Sequence, residues 1–295
     1  MAQSPSFDAF VAPARARPQL WRLLLGLVVC VAVMALWIGA TFGVLVAAMG
    51  FDPAARMLAE LSDPTNPRGT LLLLSTFAGM FVAPIVAARL LQKRRAGTLF
   101  GSAPVVVRHF AISVGIAAVI YGLTLAIWSV NFDGVQNLSL GMWLALLPLS
   151  LLAVVIQTGA EEVLFRGYLM QQLAARFASP LVHMLVPAFL FGILHYDPGT
   201  MGSNAWAVVG STAFFGLIAA DLTVATGSIG AAWGLHFANN VVAILLISTK
   251  DTITGLALYT TPYTASEVTI TGPLLMADLA LIIAVWACLR WVFRR

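Results

Sequence analysis

Charge is what this sequence has least of. Only 9% of its 295 residues are Asp, Glu, Lys or Arg, against 60% hydrophobic, whereas a soluble domain carries about 25% charged residues. With a mean hydropathy of +0.94, that scarcity excludes a soluble globular protein and leaves a polytopic membrane protein. Cysteine is nearly absent too. Cys30 and Cys288 both lie in apolar runs, which excludes a disulfide framework and makes them small packing residues. There is no internal repeat and no low-complexity stretch. Neither H-E-x-x-H nor G-x-S-x-G occurs, so the soluble zinc-protease and serine-hydrolase signatures are missing. The net charge of +4 sits in tails and short connections, so no nucleic-acid partner is expected; the lipid bilayer is the expected surrounding.

What is present is a series of long apolar runs. A spanning helix needs about 20 mostly apolar residues. Eight runs qualify, at roughly 22–49, 70–92, 104–130, 142–165, 180–196, 204–222, 228–248 and 273–293, the fifth short and the sixth interrupted by glycine. The expected fold is an all-α polytopic membrane helical bundle of about eight transmembrane helices. Residues 1–20 carry prolines and are weakly apolar; they are expected to form a cytoplasmic N-terminal segment ahead of one integral membrane domain, 21–295. The apolar run that follows them is too long for a signal-peptide core and reads as a retained first span.

Lysine and arginine set the orientation. With eight spans, Arg15, Arg17, Arg22, Arg89, Lys93, Arg94, Arg95, Arg108, Arg176, Arg290, Arg294 and Arg295 fall on one side, and Arg56, Arg68 and Lys250 on the other. The asymmetry places both termini in the cytoplasm. Trp21, Trp128, Trp143 and Trp291 stand at span ends, where aromatic belts form.

Against this background one stretch is out of place. Between Gly134 and Ala160 no residue is charged; then Glu161, Glu162 and Arg166 arrive within two helical turns. A charge at mid-membrane costs about 2.5–3.5 kcal/mol on insertion scales. Glu162 and Arg166 are four apart and can pair on one helix face. Glu161 points about 100° away and needs a partner elsewhere. His195 closes the next run, with Phe191 a turn earlier. Glu161 lies 17 residues before Ala178 and His195 lies 17 after it, so a hairpin turning near Ala178 puts them at one depth. In the seventh run His236 and Asn240 share a face, and Thr226 or Ser228 can cap the helix start; hydrogen bonding between helices is the plainer use of such a pair. Asp278, early in the last run, is a further candidate close to the interface. A carboxylate pair, two histidines and an asparagine suit hydrolysis, by taking a proton from water and donating to an oxyanion. A proton-coupled transporter uses similar groups, although the broken, repeated helices of such transporters are not evident.

The ordered set E-E-x-x-x-R (Glu161, Glu162, Arg166), F-x-x-x-H (Phe191, His195) and H-x-x-x-N (His236, Asn240) resembles the CPBP family of intramembrane proteases. That family includes the CAAX-prenyl endopeptidases of the Rce type and bacteriocin-immunity proteins. The resemblance implies an intramembrane endopeptidase with a catalytic core at about 142–248, acting on a membrane-associated peptide or protein. It implies Glu161 as general base, helped by His195; His236 and Asn240 as oxyanion hole; and Glu162, Arg166 and Phe191 as support. No cofactor is expected, with zinc on Glu161, His195 and His236 as the alternative. The expected setting is a bacterial inner membrane. The competing reading is a non-enzymatic membrane protein: a proton-coupled transporter, or an immunity protein that acts by binding.

Overall fold

The computed structural model describes residues 4–267 and 273–294. Residues 1–3, residues 268–272 and Arg295, one of the arginines used for the orientation, lie outside the described residues. Six helices are long and apolar enough to cross a membrane: α2 (Leu20–Met49), α4 (Pro67–Gln92), α5 (Ala103–Trp128), α6 (Leu140–Arg176), α8 (Pro198–Thr226) and α10 (Pro273–Val292). Two shorter apolar helices, α7 (Leu181–Ile193) and α9 (Gly230–Leu246), stand where the fifth and seventh spans were expected. The sixth span, despite its glycines, forms a long helix. Short α1 (Pro5–Val11) and α3 (Phe51–Ala59) complete the helices named here.

Local rules set the helix starts. Asn66, Ser139 and Asp197 each accept a hydrogen bond from a backbone N–H of the first turn, satisfying donors that the helix leaves unpaired. Pro67 and Pro198 follow two of these caps at the first helical position, where no N–H is needed. At α9 the expected side-chain cap is not made. Ile229 occupies the cap position. The Thr226 hydroxyl donates instead to the carbonyls of Leu222 and Ser228, and so closes the end of α8.

The two short helices end for different reasons. α7, at about 1.5 Å per residue, spans only about 20 Å and stops before His195, leaving that residue at a helix end. α9 gives way to a strand, β2 (Ile247–Lys250), which pairs in parallel with β3 (Tyr259–Thr264); β1 (Val135–Gln136) pairs antiparallel with the other side of β3. This small sheet ties the 132–139 and 247–264 connections together on one face of the bundle. α6 continues without a break to Arg176, as the hairpin register requires. A π-helical stretch, Val163–Met170, begins directly after Glu162, and another, Val241–Leu246, directly after Asn240. Such wide turns are frequent at functional sites.

The N-terminal segment is more than a tail. In α1, Ser4 caps the helix and Pro5 opens it, and Phe7, Phe10 and Val11 are buried in the main core. The Phe7 ring stacks on His183 with centroids 5.7 Å apart, and the Ser4 hydroxyl donates to the Val224 carbonyl at 2.8 Å. Gly227 accommodates this docking. Its φ is +63°, and a Cβ there would lie 2.4 Å from the Ser6 carbonyl oxygen, so both its backbone and its lack of a side chain are needed.

Candidate active site

Helices α6 and α9 approach closely one turn before the glutamates. A Cβ on Gly159 would sit 2.7 Å from the Trp233 ring, and the Trp233 indole donates to the Val155 carbonyl and the Thr158 hydroxyl, both at 3.2 Å. One turn further along α9, this contact brings His236 against the carboxylates.

Glu162 is fully buried and Arg166 is 1% exposed. Arg166 donates from Nη1 to Glu162 Oε1 at 2.8 Å and from Nη2 to the Gly216 carbonyl at 3.1 Å, and its guanidinium lies 4.9 Å from the Phe191 ring centroid. His236 Nδ1 meets the same Glu162 oxygen at 2.8 Å. Its Nε2 lies 3.2 Å from Glu161 Oε2, within ion-pair distance but outside hydrogen-bond geometry, so Glu161 Oε2 has no hydrogen-bond donor among the described residues. His236 therefore stands between both glutamates. With both ring nitrogens protonated, Glu161, Glu162, Arg166 and His236 sum to zero charge, which is how four ionisable groups are accommodated in an apolar bundle. Phe191 and Phe215 flank His236, with centroids at 5.8 and 5.1 Å.

A cavity of about 220 Å³ opens beside this cluster, lined in part by Glu161, His195, His236 and Asn240. Phe191 also lines it. Glu162 and Arg166 do not; they lie behind the wall. The adjacent glutamates are thus separated by environment, one facing a polar space and one clamped inside protein. His195 Nδ1 lies 2.8 Å from the Phe191 carbonyl. A carbonyl only accepts, so Nδ1 carries the proton, and in neutral His195 Nε2 is the acceptor. Asn240 Nδ2 donates to Gln157 Oε1 at 2.8 Å.

These residues do not fit a zinc site as they stand. Both nitrogens of His236 face carboxylates, and among the described residues no three His, Cys, Asp or Glu side chains are placed to hold a metal.

Residues 143–242 match a family model described as type II CAAX prenyl endopeptidase Rce1-like. The uncharacterized protein YyaK of Bacillus subtilis (strain 168) is 30% identical over 260 residues, 84% of this chain and 85% of that protein. The chain belongs to the Rce1-like family. No solved structure matches it. With its six long apolar helices, this Rce1-like chain is an integral membrane protein. The matched stretch carries all seven residues singled out by motif, and the fold brings all seven to one place.

Sequence reading of the Rce1-like chain missed other parts of the site. Gln157, four residues before Glu161 on the same helix face, lines the cavity, as do Phe215 and Asn239; the i, i+4 spacing to Glu161 was a usable signal for Gln157. Asp278, expected near the interface, also lines the cavity. His183 and His109 belong elsewhere: His183 is packed on Phe7, and His109 on Phe293.

Proposed function

We propose that the protein is an intramembrane endopeptidase that hydrolyses a peptide bond of a membrane-associated peptide or protein with a glutamate-activated water. The observation that carries this reading is the division of the glutamate pair. Glu161 lines the cavity and meets His236 Nε2, at 3.2 Å, through Oε2, while Glu162 lies outside the cavity lining and is held by Arg166 and His236. Water in the cavity gives a proton to Glu161, with His195 Nε2 as the second acceptor that aligns it. The resulting hydroxide oxygen bonds to the carbonyl carbon. As Glu161 becomes neutral its hold on His236 weakens. The Nε2–H of His236, and the Asn240 amide once it leaves Gln157, then donate to the developing oxyanion. The C–N bond breaks as Glu161 returns its proton to the amine nitrogen. No step needs a metal, and purified protein is expected to retain activity after exhaustive chelation; activity lost with stoichiometric zinc and restored by its return would replace this scheme.

The test of the function itself is a comparison of membrane peptides from cells making wild-type protein and Glu161→Ala. Products present only with the wild type are expected. Identical peptide sets would leave the non-enzymatic reading.

The proposed setting is a bacterial inner membrane with both termini cytoplasmic, supported by the lysine and arginine asymmetry. For labelling, Arg95 and Glu267 are the suitable positions, both exposed, whereas Arg94 is buried against Gln171 and Thr98. In a protein with Cys30 and Cys288 replaced by serine, an impermeant thiol reagent added outside is expected to modify a cysteine at 267 and spare one at 95. The reverse pattern would invert the orientation.

A further inference from the structure

Asp278 is the one charged group of the cavity wall that the cluster above does not neutralise. It lies in the second turn of α10, outside the family-matched stretch. It lines the same cavity as Glu161 and His195, together with Ser211 and Thr212 of α8. Among the described residues it makes no hydrogen bond or ion pair, whereas Asp221 of α8 is taken up by Trp286 and Arg290. No lysine or arginine lines the cavity. Arg166 is turned to Glu162, and His236 is divided between the glutamates. The wall therefore carries one carboxylate, exposed on α10, that no cation among the described residues of the wall offsets.

We infer that Asp278 makes the cavity a subsite for a cationic group of the substrate: a lysine or arginine side chain next to the scissile bond. Adjacency follows from the shared wall: Asp278 lines the same cavity of about 220 Å³ as Glu161, the residue that acts at the scissile bond. A basic side chain there is attracted to Asp278, while an acidic one is repelled by it with no lysine or arginine of the lining to offset the repulsion. Discrimination between charges needs both the attractive and the repulsive element, and one carboxylate supplies both.

The inference rests on the proteolytic reading, and the experiment keeps the two apart. One arm measures binding alone: purified protein is titrated with butylguanidinium, a mimic of the arginine side chain, and with butyrate, following thermal stability. Butylguanidinium is expected to stabilise the wild type and to bind at least about tenfold more weakly to Asp278→Asn; butyrate is expected to do neither. The second arm measures cleavage of peptides that differ only in having Lys, Gln or Glu beside the bond. The wild type is expected to prefer Lys over Glu by at least about tenfold in kcat/KM, Asp278→Asn to bring the ratio near one, and Asp278→Lys to reverse it. Absence of any cleavage together with the cation binding would remove the protease and keep the subsite. Equal butylguanidinium binding to wild type and Asp278→Asn would overturn the subsite, as would an Asp278→Asn effect that lowers all three peptides alike, since that marks a structural role.

Discussion

Glu161→Gln is expected to lower turnover by at least about 10³-fold, within the range a general base contributes, and to leave the protein folded in the membrane with no loss of thermal stability. The two halves of this expectation have separate causes. Glutamine keeps the shape of the side chain and its place on the cavity wall but cannot accept the proton of water. Stability is expected to hold because Glu161 Oε2 has no hydrogen-bond donor to lose, glutamine fills the same space, and His236 keeps its 2.8 Å contact with Glu162. Proteolytic rate and detergent Tm, measured on the same preparation, decide it. Near-normal turnover would remove Glu161 as the base and the mechanism with it.

The neighbouring substitution is expected to act in the opposite way. Glu162 Oε1 accepts from both Arg166 and His236 at 2.8 Å, and neither Glu162 nor Arg166 reaches solvent. Breaking a buried pair by removing one partner costs about 3–5 kcal/mol, because the other charge is left uncompensated. Glu162→Gln is therefore expected to lower Tm strongly, with activity lost through misplacement of His236. Adding Arg166→Met removes the stranded cation, so the double variant is expected to recover part of the stability. A Tm for Glu162→Gln equal to that of the wild type would mean the clamp contributes nothing to the fold.

How much of this was legible beforehand depends on the kind of signal. Glu161, Glu162 and Arg166 stood out because charge in an apolar run is expensive, so its presence is informative by itself. The His195 register was readable because hairpin partners equidistant from a turn share a depth, and α6 and α7 do turn at residues 177–180. The bridging of both glutamates by His236 was not readable. It depends on how closely α6 and α9 approach at Gly159 and Trp233, a distance that hydropathy does not encode. Nor do the π-helical turns after Glu162 and Asn240 have a compositional signature. That Asp278 shares a cavity with Glu161 was not readable either, because it depends on how α10 packs beside α8. α1 was missed for another reason: Ser4 and Pro5 spell a helix start, and Phe7, Phe10 and Val11 follow at helical spacing, but seven residues are too few for a hydropathy pattern to stand out.

The docking of α1 imposes an order on biogenesis. Phe7, Phe10 and Val11 leave the ribosome before the spans, yet the groups that receive them, His183, Val224 and Gly227, are made roughly 180–220 residues later. At about 5–20 residues per second, the segment waits on the order of 10–40 s beside the membrane while α2 to α8 are inserted. Its seat is complete only when the end of α8 has been synthesised, after both glutamates and His195 but before His236. Docking of α1 is thus a late event in synthesis, and a bulky fusion ahead of α1 would burden the finished assembly rather than the insertion of α2.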